Sequence, residues 1–190
     1  YRSRFLLVFA TLTLLFSSVL LTSCQGKKIK NTVFSVDDLA GKTIGVQLGT
    51  TGDTLVSDYE TDGSGTTVSR YNKGSDAIQA LKQGKADAVV IDEQPALAFV
   101  KANPDLTILE EEFANEDYAI CVAKGNSLTA KLNEAIEVLM ADGTIQKLID
   151  DYVGDNATFS GYKSPDGISR TNGTLVMATN AYFKPYEYYE

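Results

Sequence analysis

KTIGVQLGTTG, residues 42–52, is a short β-rich run that ends in a turn of glycine and threonine. Such a run predicts a strand, and the turn that follows predicts the start of a helix. A second run, ADAVVI at residues 86–91, is almost continuously apolar, which is typical of a strand buried on both faces of a parallel sheet. Strands that alternate with helical segments in this way predict βαβ units joined by right-handed crossovers.

Strand and helix signals continue to alternate along the chain. Ser75 can cap a helix that Gly84 ends, and Pro95 suits the first position of another. We expect a three-layer α/β lobe with a mostly parallel sheet over about residues 35–113. The predicted strands also include residues 66–71, 106–109, 118–123 and 175–179, and the predicted helices residues 53–58, 128–140 and 145–152.

The N-terminus has the pattern of a secretory signal. Arg2 and Arg4 precede an apolar run at residues 5–21, which suits a signal-peptide core. The run ends in Leu-Thr-Ser-Cys24, which resembles the lipobox of bacterial lipoproteins. That resemblance implies cleavage after residue 23, lipidation of Cys24, a tether at residues 24–34 and anchorage of an extracytoplasmic protein to the cell membrane. The alternative is an uncleaved anchor helix with an incidental cysteine.

Composition excludes several kinds of site. The chain has no His and two Cys, which rules out a His-based catalytic triad and a structural zinc site. If Cys24 carries lipid, Cys121 has no disulfide partner, and we expect it to pack as a small apolar side chain. A formal net charge of −8 argues against nucleic acid as a partner. We expect no metal and no cofactor.

Two segments lie where the chemistry of such folds is found, beyond the carboxyl ends of strands. The turn from Gln47 to Gly52 offers backbone N–H groups, two hydroxyls and the positive end of a helix dipole, which suit a carboxylate. An ordinary strand-to-helix connection explains the turn at least as well. Asp92 directly follows the buried run at residues 88–91, where a bound ammonium would compensate its charge. The alternative is that Asp92 caps the next helix.

Several motifs together resemble one family. SVDDLAGKTIGVQLGTTG, ALKQGKADAVVID, NEDYAI and LMADGTIQKL resemble, in order, segments of the family 3 extracellular solute-binding proteins, the amino-acid receptors of ABC importers. GTLVMATNAYFKPYEYYE at residues 173–190 resembles the strand and ligand-facing loop that open those receptors, although here it comes last. The resemblance implies a type II periplasmic-binding-protein-like fold. Residues 35–115 would form the second lobe, residues 116–153 the return strand and closing helices of the first, and residues 154–172 a linker.

The resemblance also implies roles for individual residues. Thr50 and Thr51 would bind the α-carboxylate of an amino acid, Gln47 would line the pocket, and Asp92 would accept the α-ammonium. Asn180 and Phe183 match the family's polar contact and stacking aromatic. The family's first lobe also supplies an Arg that clamps the ligand carboxylate. No segment here corresponds to that part of the lobe, and Arg70, which lies in the second lobe, is not a substitute.

The function expected from these features is that of the substrate-binding component of an ABC importer, present as a truncated or rearranged copy with one intact lobe. Its partners would be a free polar amino acid, the transporter permease and, through the lipid anchor, the membrane, with weak or absent ligand binding. One alternative is a fragment without ligand function. Another is an enzyme of the cyclohexadienyl dehydratase type on the same scaffold. That enzyme would need an acid/base pair, and adjacent strand residues such as Asp92 and Glu93 point to opposite faces.

Overall fold

The computed structural model describes residues 30–154, 157–158 and 161–189. The predicted signal sequence and Cys24 lie outside these residues, so their roles stay predictions. Within the described ranges, no helix is both long and apolar enough to cross a membrane.

A three-stranded parallel sheet forms the centre of the fold. Its strands are β1 (Thr43–Gln47), β2 (Thr67–Tyr71) and β3 (Ala88–Val90), arranged in the order β2-β1-β3. Ile44 of β1 lies opposite Val68 of β2 and Ala88 of β3. Because all three strands run the same way, their carboxyl ends meet at one edge of the sheet.

Helices connect the strands and cover both faces of the sheet. Ile44 and Val46 are fully buried and pack with Val56 on one face, whereas Gly45 between them faces Ala77 on the other. Alternate residues of a strand point to opposite faces, so the helices that carry Val56 and Ala77 lie on opposite sides. The predicted α/β class and three-layer lobe are confirmed. These helices are α1 (Thr51–Ser57), α2 (Gly74–Lys82) and α3 (Glu93–Ala102), with one-turn 3-10 helices at Val36–Leu39 and Asp58–Glu60.

Two predicted helix starts differ in detail from the structure. Helix α2 begins two residues earlier than expected, with Lys73 rather than Ser75 at the N-cap position. Helix α3 begins at Glu93, so Pro95 is its third residue rather than its first. Proline is tolerated throughout the first helical turn, because backbone N–H groups there have no intrahelical acceptor. For each of these two helices, the sequence predicted the region where the helix begins but not its first residue.

Two further helices follow the lobe. They are α4 (Leu128–Ala141) and α5 (Thr144–Tyr152), and each packs mainly against the other. Neither helix has a buried residue, and Val138 is 58% exposed. Most residues of the apolar stripe that predicted each helix are therefore half-buried rather than buried.

Three predicted strands are absent from the described part of the chain. Residues 106–109, 118–123 and 175–179 form no ladder, although Leu109 packs against the core of the lobe. An apolar run becomes a strand only when another strand satisfies its backbone N–H and C=O groups. Cys121, in the second of these runs, is exposed, so the expectation that it packs in a core is wrong.

The last described residues form a small hairpin. Strand β4 (Tyr182–Phe183) pairs antiparallel with β5 (Glu187–Tyr188), and the Tyr186 N–H donates to the Phe183 carbonyl at 3.0 Å. The ammonium of Lys73 lies 3.9 Å from the centre of the Tyr182 ring. A cation over an aromatic face is a favourable contact, so Lys73 helps hold this hairpin, residues 181–189, on the lobe.

Candidate functional site

The turn after β1 is held by its own side chains. The Thr50 hydroxyl donates to the Gln47 carbonyl at 2.9 Å and accepts from the Asp53 N–H at 3.3 Å. The Gly49 N–H donates to Asp53 Oδ2 at 2.9 Å. Gly49 has φ +77°, a conformation that other residues rarely adopt. Thr50 is therefore the N-cap of α1, with its hydroxyl engaged inside the turn.

Thr51 and Gly52, the next two residues, carry backbone N–H groups that the turn itself does not bind. Thr51 is exposed, and the N–H groups of Thr51 and Gly52 stand in the first helical turn, where no intrahelical acceptor exists. A Cβ at Gly52 would lie 3.3 Å from the Val90 carbonyl oxygen. This close approach brings the turn against the end of β3, one residue before Ile91 and two before Asp92.

Asp92 occupies the N-cap position of α3 without capping it. Its side chain makes no capping hydrogen bond, and its Oδ2 accepts a hydrogen bond from the Tyr118 hydroxyl. The alternative considered for Asp92, a carboxylate that serves to cap the helix, is therefore not the arrangement in the structure. A carboxylate that is held by a phenol keeps acceptor capacity for a second donor.

Sequence reasoning missed the groups that surround Asp92. Burial, followed by the hydrogen bond and charge of Asp92, raises the pKa of the Tyr118 phenol. The Thr51 hydroxyl lowers the pKa of the Glu116 carboxyl, but partial burial and the Asp92 carboxylate raise it, and the net shift is upward. The Tyr118 and Tyr186 rings lie 4.9 Å apart. The Glu116 carboxyl thus interacts with both Thr51 and Asp92.

A signal for these groups was present in the sequence. The run NEDYAI at residues 115–120 places a carboxylate and a phenol directly before an apolar segment. The pattern predicted a strand that returns to the other lobe. It did not indicate that Tyr118 would meet Asp92, 26 residues away.

A cavity of about 230 Å³ lies between the lobe and the terminal hairpin. Gln47 lines it and is 3% exposed, and its Oε1 accepts from the Gly74 N–H at 3.1 Å. Phe183 lines the opposite wall and packs against Tyr186, with ring centres 6.3 Å apart. The walls are mostly apolar or aromatic, and the polar groups are few, as in small-molecule sites. The other lining residues are Gly74, Ser75, Ile91, Pro95, Phe99, Ala181, Tyr182, Lys184, Tyr188 and Tyr189.

The structure therefore brings most of the predicted site residues to one edge. Gln47 ends β1, Thr50 and Thr51 follow it, and Asp92 lies two residues after the end of β3, which is the parallel neighbour of β1. Phe183 shares a cavity with Gln47. Thr50, Thr51, Asp92 and Asn180 lie outside the cavity lining, and the Asn180 side chain accepts from the Tyr182 N–H at 3.2 Å. Among the residues with described positions, no three His, Cys, Asp or Glu are placed to hold a metal ion.

Comparison with known sequences identifies relatives of one kind. No protein-family model matches the chain. The L-cystine-binding protein TcyJ of Escherichia coli K12 is 33% identical over 135 residues, which are 68% of this chain and 48% of that protein. The putative amino-acid ABC transporter-binding protein PatH of Vibrio harveyi is 33% identical over 136 residues, 70% of this chain and 54% of that protein. The chain spans about half the length of the curated relatives that it matches.

Solved structures give the same result. An ancestral arginine-binding protein bound to arginine is 42% identical, with a TM-score of 0.59 over 66% of this chain and 56% of that one. The chain is a homologue of the amino-acid-binding proteins of ABC transporters. The substrate binding protein of another amino acid ABC transporter is 34% identical, with a TM-score of 0.56 over 64% of this chain and 55% of that one. The resemblance predicted from the sequence is confirmed, and the relatives are binding proteins rather than enzymes.

Proposed function

We propose that residues 35–115 form one half of a binding site for a free polar amino acid, in the receptor component of an ABC importer. The homologues support this function, because their names describe the binding of arginine, cystine or amino acids in general. The same relatives support a protein without enzymatic activity. A relative from Bacillus subtilis, 33% identical over 60% of this chain and 46% of its own length, is named an arginine-binding extracellular protein. That name supports an extracytoplasmic location here.

The observation that carries the proposal is the placement of Asp92. Its carboxylate leaves β3 at the same sheet edge as the open N–H groups of Thr51 and Gly52, and it is not used to cap α3. The α-ammonium of an amino acid binds Asp92, and the α-carboxylate binds Thr51 within the turn that Thr50 caps. Hydrogen bonds between charged partners are about twice as strong as neutral ones, which favours a zwitterion.

The walls of the cavity receive the rest of the ligand. Gln47 is held on one side by the Gly74 N–H, and Phe183 lies on the other. Asn180 belongs to this site only after it exchanges its bond to the Tyr182 N–H for a ligand group. The lipid on Cys24 and a permease complete the proposed assembly.

The test is a titration of the ¹⁵N-labelled chain with L-arginine, followed by NMR. Binding shifts the amide signals of Thr51 and Gly52 at millimolar ligand. Asp92→Asn removes the charge that meets the ammonium and abolishes these shifts. Glu93→Gln is the matched control, since it removes an exposed carboxylate one residue away, and it leaves them in place.

Two outcomes would contradict the proposal. If Asp92→Asn and Glu93→Gln respond to L-arginine alike, Asp92 does not bind the ammonium. If L-arginine, L-cystine and L-histidine all leave the Thr51 and Gly52 signals unmoved, the chain has no ligand function by itself. Turnover of a ligand during the titration would instead support an enzyme.

A further inference from the structure

Arg70 of β2 is bound to three groups of its own lobe. Its Nε donates to Asp53 Oδ1 at 2.7 Å, and its terminal NH2 group donates to Ser57 Oγ and to Glu60 Oε2, both at 2.8 Å. The Arg70 side chain is 33% exposed. An arginine held in a fork by three acceptors has a fixed orientation, unlike a lysine in the same place.

Asp53 connects Arg70 to the turn after β1 through hydrogen bonds. One oxygen of its carboxylate accepts from Arg70, and the other accepts from the Gly49 N–H at 2.9 Å. The Asp53 side chain is 10% exposed, so its charge is poorly hydrated. The same residue donates its backbone N–H to the Thr50 hydroxyl. Asp53 is therefore bonded on one side to Arg70 and on the other to both Gly49 and Thr50.

The turn needs such a restraint for two physical reasons. Glycine loses more backbone freedom than any other residue on ordering, so a turn built on Gly49 and Gly52 is loose unless its N–H groups are bonded. In addition, Asp53 places a negative charge inside a turn that is proposed to meet a carboxylate. Like charges repel strongly where water is excluded, and Arg70 supplies the opposite charge at contact distance from Asp53.

We propose that Arg70 is a positioning residue for the ligand turn, acting through Asp53 on Gly49 and Thr50. It orients the N–H groups of Thr51 and Gly52 and offsets the Asp53 charge, without touching the ligand itself. The effect on the ligand rests on the proposed function, whereas the effect on the turn does not.

Arg70→Met is the variant that tests the proposal, and NMR on the ¹⁵N-labelled chain is the measurement. We expect the Gly49 amide signal to move and its pH titration, which reports the ionisation of Asp53, to shift to higher pH. In the native protein the Gly49 N–H, followed by Arg70, holds the pKa of the Asp53 carboxyl below its ordinary value. We also expect the affinity for L-arginine to fall about tenfold.

Two further variants make the test specific. Glu60→Gln removes another partner of Arg70 and leaves the bond to Asp53, so it keeps the Gly49 signal, the Gly49 titration and the affinity near those of the native chain. Arg70→Lys keeps the charge without the fork, and it restores the titration in part. If Arg70→Met does not fold, the comparison of Arg70→Lys with the native chain decides the question.

The outcomes separate this proposal from the proposed function. A Gly49 signal and titration unchanged in Arg70→Met and in Arg70→Lys would overturn the positioning role, whatever the ligand does. A shifted Gly49 titration in a chain that never responds to L-arginine would support the positioning role while the proposed function fails. An affinity lost equally in Glu60→Gln would show that Arg70 acts through the stability of the lobe.

Discussion

The hydrogen bond between Tyr118 and Asp92 joins a protonated phenol to an ionised carboxylate. The phenol donates to the Asp92 carboxylate, and burial together with that charge raises the phenol pKa. A carboxylate beside a neutral phenol is favourable, whereas a carboxylate beside a phenolate is not. The contact is therefore stable only while Tyr118 is protonated.

The first prediction is that the lobe loses stability in alkali through Tyr118. Its pKa in the folded chain lies above the unfolded value of 10.0, so the stabilisation is fully present below that pH and is lost as the pH rises through the folded value. In denaturant titrations from about pH 9 upward, the free energy of unfolding should fall more steeply for the native chain than for Tyr118→Phe. Tyr162→Phe, which changes a tyrosine in the segment after α5, should follow the native chain. Parallel curves for the native chain and Tyr118→Phe would contradict the prediction.

The second prediction concerns Cys24, which lies outside the described residues. We expect it to carry lipid, because the preceding Leu-Thr-Ser resembles a lipobox. Cys24→Ala expressed in a bacterium should then leave the detergent phase of a phase-partition experiment. Cys121→Ala is the matched control and should stay in that phase. Retention of Cys24→Ala in the membrane fraction would favour an uncleaved anchor helix.

At the scale of elements, the lobe has a buried core, whereas helices α4 and α5 have no buried residue. Strand β1 is hydrogen-bonded on both sides and covered on both faces. Helices α4 and α5 have no buried residue, and their main contact is with each other. Isolated helices of this length are marginal in water, because most helical stability comes from a buried face.

The third prediction is a difference in hydrogen exchange between these elements. Amides of α4 and α5 should exchange orders of magnitude faster than those of β1 and α2, since local opening costs less free energy than unfolding of the lobe. Exchange followed by mass spectrometry or NMR measures it. The control is the same measurement near the unfolding midpoint in urea, where all four elements should exchange at similar rates. Equal protection in water would mean that another surface covers the two helices.

Local sequence pattern predicted the parts of the fold whose partners are close and regular. The runs at residues 42–48 and 86–91 became β1 and β3, although only β1 is buried and the residues of β3 are half-buried. The apolar run at residues 118–123 looked equally like a strand, but it forms no ladder with any described segment. An apolar run shows that burial would be favourable and does not show what supplies it.

Only those residues of the candidate site that lie at the ends of strands could be predicted from the sequence. Gln47, Thr51 and Asp92 follow from the rule that parallel strands end at one edge. The contact between Tyr118 and Asp92 depends on the path of the chain between two residues that are 26 positions apart, which no local pattern fixes. The link from Arg70 to Gly49 likewise requires the register of β2 against β1, where Arg70 lies opposite Val46.

At the scale of the whole molecule, the chain spans about half the length of the relatives that it matches, and residues 35–115 are proposed to form one half of the binding site. The fourth prediction is that it binds amino acids only weakly. Three or four charge-assisted hydrogen bonds contribute roughly 1.5–3 kcal/mol each at best, and immobilising a small ligand costs about 4 kcal/mol or more. Access of water weakens every contact further. We expect a dissociation constant in the millimolar range or above.

Isothermal titration calorimetry with L-arginine on the purified monomeric chain measures this affinity. Asp92→Asn, which lacks the ammonium partner, gives the baseline for non-specific heat. A micromolar constant for the monomer would show that the described lobe and hairpin already form a complete site. The same constant in a dimer would mean that two chains combine their half-sites.

The central place of β1 in the sheet has a consequence for how the chain is made. Ile44 pairs with Val68 and with Ala88, so the strand that enters the sheet first is the one that needs both later strands. At a synthesis rate of about 5–20 residues per second, some 2–9 s separate the appearance of β1 from that of β3. Until β2 appears, Ile44 and Val46 belong to a strand with two open edges, and until β3 appears one edge stays open, which is when a chaperone or an aggregate competes for them. A pause in translation between codons 47 and 88 would lengthen this exposure and lower the soluble yield, whereas the same pause after codon 91 would not.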